Sequence, residues 1–147
     1  MRIVVDTNIA FSAILNTNSL IARILLQPKS KLHFYATDLL LIEINEHRDK
    51  IIEIAGYSED ELEQIIQLVT SKIKFIDLKL IPQQIIDYAE NIVGDVDIDD
   101  TEFVALTDHI RGKLWSGDIA LRKGLILKGW NKIHTTEDLA KLTIRKK

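Results

Sequence analysis

The chain has 147 residues, 46% of them hydrophobic and none of them cysteine. That length suits one domain with its own core, and the composition excludes a disulfide framework and a thiolate metal site. The net charge of −3 hides an asymmetry: residues 1–110 carry 9 Lys+Arg against 19 Asp+Glu, whereas residues 111–147 carry 10 against 3. An acidic centre beside a basic flank suits a phosphate-bearing partner, against the plainer reading of charges that solvate helix faces. The apolar stretches are too short to span a bilayer. Met-Arg-Ile-Val-Val-Asp meets charges too early for a secretory signal, so a cytoplasmic protein is expected.

In chain order, residues 2–5 read as a buried strand that stops at Asp6. A first helix follows from Asn8 to about Leu15, and Ser19 caps a second, 20–27, ahead of Pro28. Residues 32–35 form a short strand, after which Thr37 is expected to cap one long helix to about Ala55, closed by Gly56. Ser58-Glu59-Asp60-Glu61 is a capping box for a helix over 58–72 whose apolar residues fall at helical spacing. Residues 74–76 are a strand, and Pro82 begins a helix that ends at Gly94. The acidic run 95–100 leads into a helix to about Ile110, closed by Gly112. Residues 113–115 are a strand, Asp118 caps a short helix to Lys123, and 132–134 is a last strand. Thr135 or Thr136 caps a final helix to Leu142. Strands that alternate with helices predict a three-layer α/β/α sandwich, one domain over 1–147, around a parallel sheet of four to five strands.

Four acids stand where strands give way to helices or within an apolar helix: Asp6, Glu43, Asp100 and Asp118. In a parallel sheet the carboxyl ends of strands converge on one crevice, and acids gathered there repel one another unless a cation holds them. Oxygen donors without Cys or His make a hard site suited to Mg²⁺ or Mn²⁺. Each acid has a plainer alternative. Asp6 and Asp118 read equally as helix caps, Asp100 as a residue that complements a helix dipole, and Glu43 as half of a salt bridge. The run 95–100 looks like the start of a calcium loop. It fails at Asp100, where the loop needs Gly, and at Leu106, where it needs Glu; Asp97 and Asp99 are read as cap and surface residues. The four histidines lie on separate elements without ligand spacing.

Taken together these motifs resemble the PIN domain family of metal-dependent nucleases. The resemblance rests on Val-Val-Asp-Thr-Asn (4–8), Thr-Asp-Leu-Leu-Leu-Ile-Glu-Ile (37–44), Asp-Ile-Asp-Asp-Thr-Glu-Phe-Val-Ala-Leu (97–106) and Trp-Ser-Gly-Asp (115–118), in the family's order and over nearly the whole chain. It implies that Asp6, Glu43, Asp100 and Asp118 are the acidic quartet that binds Mg²⁺ or Mn²⁺ and carries catalysis, with Asn8 and Ser116 at the accompanying polar positions. Ile98 stands where the family often has Pro, and Glu102 adds an acid beside the site. The implied activity is an endoribonuclease that hydrolyses RNA phosphodiester bonds, VapC-like: the toxin of a toxin–antitoxin pair, a homodimer with a cognate antitoxin protein as partner. Arg111, Lys113, Arg122 and Lys123 are candidate phosphate contacts near the last two motifs. A housekeeping RNA-processing nuclease and a non-catalytic RNA- or protein-binding module are the alternatives. A haloacid-dehalogenase-type phosphatase fits less well, because it needs a second Asp at position 8, where this chain has Asn.

Overall fold

A computed structural model describes residues 1–94 and 100–143; the acidic residues 95–99, with Asp97 and Asp99, and the basic tail 144–147 lie outside it. Five strands form the sheet: β1 (Arg2–Val5), β2 (His33–Thr37), β3 (Ile73–Ile76), β4 (Lys113–Trp115) and β5 (Ile133–His134). All pair in parallel, in the order β3-β2-β1-β4-β5. The helices are α1 (Thr7–Leu15), α2 (Leu20–Leu25), α3 (Leu39–Glu46), α4 (Arg48–Ala55), α5 (Glu59–Thr70), α6 (Gln83–Val93), α7 (Asp100–Ile110), α8 (Ile119–Leu127) and α9 (Thr136–Thr143). Among the described residues no helix is long and apolar enough to cross a membrane.

The central strand explains the three layers. Successive side chains of a strand point to opposite faces. Ile3 and Val5 therefore enter one core with α1, α2, α3, α4, α5 and α9, while Val4 enters the other with α6, α7 and α8. Leu114 and Trp115 divide in the same way across β4. Such strands, covered on both faces, must be apolar throughout, and β1 reads so until Asp6 ends it.

Three sequence expectations change. The long helix from Thr37 to Ala55 is two helices, α3 and α4, broken at His47 (φ −107°, ψ 13°). Its imidazole Nδ1 lies 2.8 Å from the Glu43 carbonyl oxygen; a carbonyl only accepts, so Nδ1 carries the proton. Thr37 does not cap the helix. It is the last residue of β2, paired with Ile76, and its buried hydroxyl makes no hydrogen bond among the described residues. The end of α7 is turned by Arg111 (φ 56°) rather than by Gly112. The Gly112 N–H bonds Thr107 O at 2.9 Å and the Arg111 N–H bonds Asp108 O at 3.3 Å, the Schellman pattern with Arg in the left-handed place. Gly112 is needed for a different reason: a Cβ there would stand 2.5 Å from the Arg2 carbonyl oxygen.

Candidate active site

In the sheet order, β1, β2 and β3 step one way from the centre and β4 and β5 the other, so the direction switches between β1 and β4. Open parallel sheets carry their crevice at that point, beyond the carboxyl ends of the strands. Val5 pairs with Trp115 there, and the next residues are Asp6 on one side and Ser116-Gly117-Asp118 on the other.

Asp6 is buried, and its Oδ1 accepts the Ile9 N–H at 2.8 Å as the N-cap of α1. Asp118 caps α8 in the same manner, with Oδ1 accepting the Leu121 N–H at 3.0 Å. Ser116, also buried, ties the two together: its Oγ accepts the Asp118 N–H at 3.1 Å, and its hydroxyl hydrogen-bonds the Asp6 carboxylate. Burial pushes the Asp6 carboxyl above its ordinary range, the Ile9 and Ser116 hydrogen bonds pull it down, and the charge of Asp118 pushes it up again. The net rise means that the fold holds this acid against the preference of its ionised form.

Glu43, half-buried on α3, joins the group through Thr7, whose hydroxyl donates to Oε1 at 3.2 Å. Asp100 is the first residue of α7 and half-buried. All four acids, with Asn8, line one cleft of about 270 Å³, whose other lining residues, among those described, are Thr7, Phe11, His47 and Phe103. The sequence thus named the acids and Asn8, and it missed three contributors. Thr7 sits inside the Asp-Thr-Asn motif, and its role needed the packing of α1 against α3 to show. His47 is four residues from Glu43, the one spacing that placed it on the same helix face. Phe11 belongs to the face of α1 that Asn8 opens.

The candidate cations lie elsewhere. None of Arg111, Lys113, Arg122 and Lys123 lines the cleft. Arg122 and Lys123 are on α8, one turn past Asp118, whereas Arg111 and Lys113 stand at the start of β4, toward the opposite edge of the sheet. Glu102 is half-buried on α7 and is not part of the cleft wall.

The donor set is hard oxygen only, as Mg²⁺ or Mn²⁺ requires. Among the described residues no three acid or histidine side chains stand close enough to cage an ion by themselves. Mg²⁺ does not need such a cage; it keeps several waters and takes one or two carboxylates together with substrate phosphates. A buried carboxyl with a raised pKa next to a second acid fits that demand, since a cation would relieve both the burial and the repulsion.

An all-parallel sheet flanked by helices on both faces, with acids gathered at its switch point, defines a three-layer α/β/α fold with an acidic crevice. The chain belongs to the PIN domain family, whose model matches residues 4–139, a span that takes in all four acids. No individual curated protein matches it.

Proposed function

We propose that the protein is a Mg²⁺- or Mn²⁺-dependent endoribonuclease that hydrolyses RNA phosphodiester bonds. The observation that carries this reading is the convergence of Asp6, Glu43, Asp100 and Asp118 on one cleft at the switch point of the sheet. Asp6 and Asp118 are the primary metal ligands, with Asp100 and Glu43 completing the set. Such an ion supplies Lewis acidity: it activates water as the nucleophile and offsets the charge that gathers on the phosphate.

The chain's own groups do the rest. Glu43, oriented by the Thr7 hydroxyl, takes the proton of the attacking water. Ser116 holds the Asp6 carboxylate and the Asp118 backbone in fixed relation, which sets the spacing of the two principal acids. Asn8, exposed at the mouth, orients a phosphate oxygen or a ligand carboxylate. Arg122 and Lys123 meet the RNA backbone one turn from Asp118, a contact independent of sequence and sensitive to salt. Arg111 and Lys113 would touch RNA only away from the scissile phosphate.

In the cell we read it as the cytoplasmic toxin of a toxin–antitoxin pair, restrained by a cognate antitoxin protein and acting as a homodimer. Ile126 and Leu127, 48% and 88% exposed on α8, supply apolar surface of the sort a second copy would cover. The test is cleavage of a mixed RNA pool with Mg²⁺ or Mn²⁺, against EDTA and against Asp6→Ala and Asp118→Ala. Metal-dependent cutting that both variants lose is the expected result. Cutting that survives in both, or that ignores EDTA, refutes the reading.

A further inference from the structure

Beside the acidic cleft runs a second, apolar groove of about 370 Å³ between α1 and α4. Its two walls are the same helical stripe repeated. Asn8, Phe11, Ser12 and Leu15 fall at i, i+3, i+4 and i+7 on α1. His47, Lys50, Ile51 and Ile54 do so across the start of α4. Three residues, Asn8, Phe11 and His47, line both the groove and the cleft, so the two spaces are neighbours.

The geometry points to a nucleobase subsite: the groove receives one unpaired base of a single-stranded RNA whose neighbouring phosphate lies over the acids. This rests on the reading of the cleft as the site of RNA hydrolysis. A strand that leaves the acids on this side passes first over the Phe11–His47 pair. Their rings stand edge to face there, with centroids 5.5 Å apart and planes at 65°. The imidazole is held in place by its bond to the Glu43 carbonyl oxygen, so the aromatic junction is already built. Aromatic faces are what unpaired bases stack on, with little regard to which base it is. Past the rings the floor is apolar, formed by Leu15 and the buried Ile51. Ser12 offers a hydroxyl to a base edge, and exposed Lys50 offers a cation to the next phosphate. The volume lies at the small end of the range for small-ligand sites, which suits one flat ring system better than a helix. A base in this groove is out of any duplex, so the enzyme would select single-stranded or looped RNA.

The experiment uses the wild-type protein and a short fluorescein-labelled single-stranded RNA, intact or with one base removed at each position in turn. Anisotropy in Ca²⁺ reads binding, and cleavage in Mn²⁺ reads chemistry. Removal of one particular base should weaken binding about five-fold or more, the loss of a single base–aromatic stack, with little effect elsewhere. Phe11→Leu and Ile54→Asp should each erase that position dependence. Ile54 is 62% exposed, so its variant is expected to fold, and its melting curve checks this. Uniform binding at every abasic position overturns the subsite and gives the groove to an apolar segment of a protein partner. RNA that is cut while every position binds alike refutes the subsite and leaves the nuclease standing. A position-dependent loss without any cutting refutes the nuclease and leaves the subsite standing.

Discussion

Asp6→Asn separates the two demands that the fold makes on one residue. The amide oxygen of Asn can accept the Ile9 N–H that Asp6 Oδ1 now takes at 2.8 Å, so the cap of α1 survives. What disappears is a negative charge that burial opposes and that the neighbouring Asp118 repels. Relief of a destabilised site of this kind commonly returns about 0.5–2 kcal/mol. In a chain of this length each kcal/mol moves Tm by roughly 2–4 °C. In EDTA at neutral pH the variant should therefore melt a few degrees above wild type. Asp6→Ala gives up the capping acceptor as well, which costs about 1 kcal/mol, and should melt below Asp6→Asn by that margin. The pH dependence carries a definite sign. A carboxyl whose pKa is higher in the fold than in the unfolded chain weakens the fold only once it ionises. The advantage of Asn should grow as pH rises through the folded Asp6 pKa, and vanish toward the ordinary carboxylate range near about pH 4. Saturating Mn²⁺ should reverse the ranking, because a metal at a hundred times its Kd stabilises wild type by about 2.7 kcal/mol and the Asn variant by less. Thermal unfolding followed by circular dichroism, in EDTA and in Mn²⁺, at several pH values, reads all of this. An Asn variant that melts at or below wild type in EDTA at pH 7, or with a margin indifferent to pH, would refute the argument.

Two further substitutions probe the supports of the site. Ser116→Ala removes both the bond to the Asp6 carboxylate and the acceptor for the Asp118 N–H. Loss of such a positioning group should lower metal affinity or cleavage about 10- to 100-fold, read from cleavage rates across a Mn²⁺ titration; a rate within two-fold of wild type at every metal concentration, about 0.4 kcal/mol, would deny Ser116 that role. Gly112→Ala forces a Cβ to 2.5 Å from the backbone oxygen of Arg2, where no flexible side chain can give way. It should cost about 1–3 kcal/mol and lower Tm by several degrees, while cleavage per folded molecule persists, since Gly112 opens the turn at the far end of β4. An unchanged Tm would mean that the α7–β4 turn relaxes freely.

The sheet was legible because its strands are short segments with apolar centres set between helical stretches: residues 2–5, 32–35, 74–76, 113–115 and 132–134 each fall on an observed strand, within a residue or two. The capping box at Ser58 was equally plain, since Ser58 and Glu61 exchange the expected pair of bonds at 3.0 and 3.1 Å. Two of the errors, at Thr37 and Gly112, come from tertiary partners that outweigh local chemistry, and the one at His47 from a local side-chain bond. Thr37 has a good capping side chain, but β2 needs it as the partner of Ile76. Nothing in 38–55 forbids one helix, yet a side-chain bond from His47 to a carbonyl one turn back breaks it. A glycine after a helix normally supplies the left-handed turn, but Arg111 takes that conformation because the following position must lack a Cβ. The acids were legible individually from their place after strands. Their meeting in one cleft was legible from the parallel α/β pattern and the resemblance, whereas the strand order that joins β1 to β4 across more than a hundred residues leaves no local trace.

For Asp6 and Asp118 the helix-cap reading and the metal-ligand reading describe one arrangement. Each spends Oδ1 on a backbone N–H of the helix that it opens. A carboxylate has about four lone-pair sites on two oxygens, so a single cap bond leaves capacity to spare. The cap fixes the side-chain rotamer, which a ligand otherwise fixes at an entropic cost when it arrives. The positive ends of α1 and α8 lie behind the two acids, where negative charge is favoured. The same helix termini thus hold the carboxylates in position. A cap residue that is buried and raised in pKa, as Asp6 is, has no need of those features to start a helix. Ser58, exposed and content with its capping box, starts α5 without any of them. That contrast within one chain is the physical ground on which the metal-ligand reading of Asp6 rests.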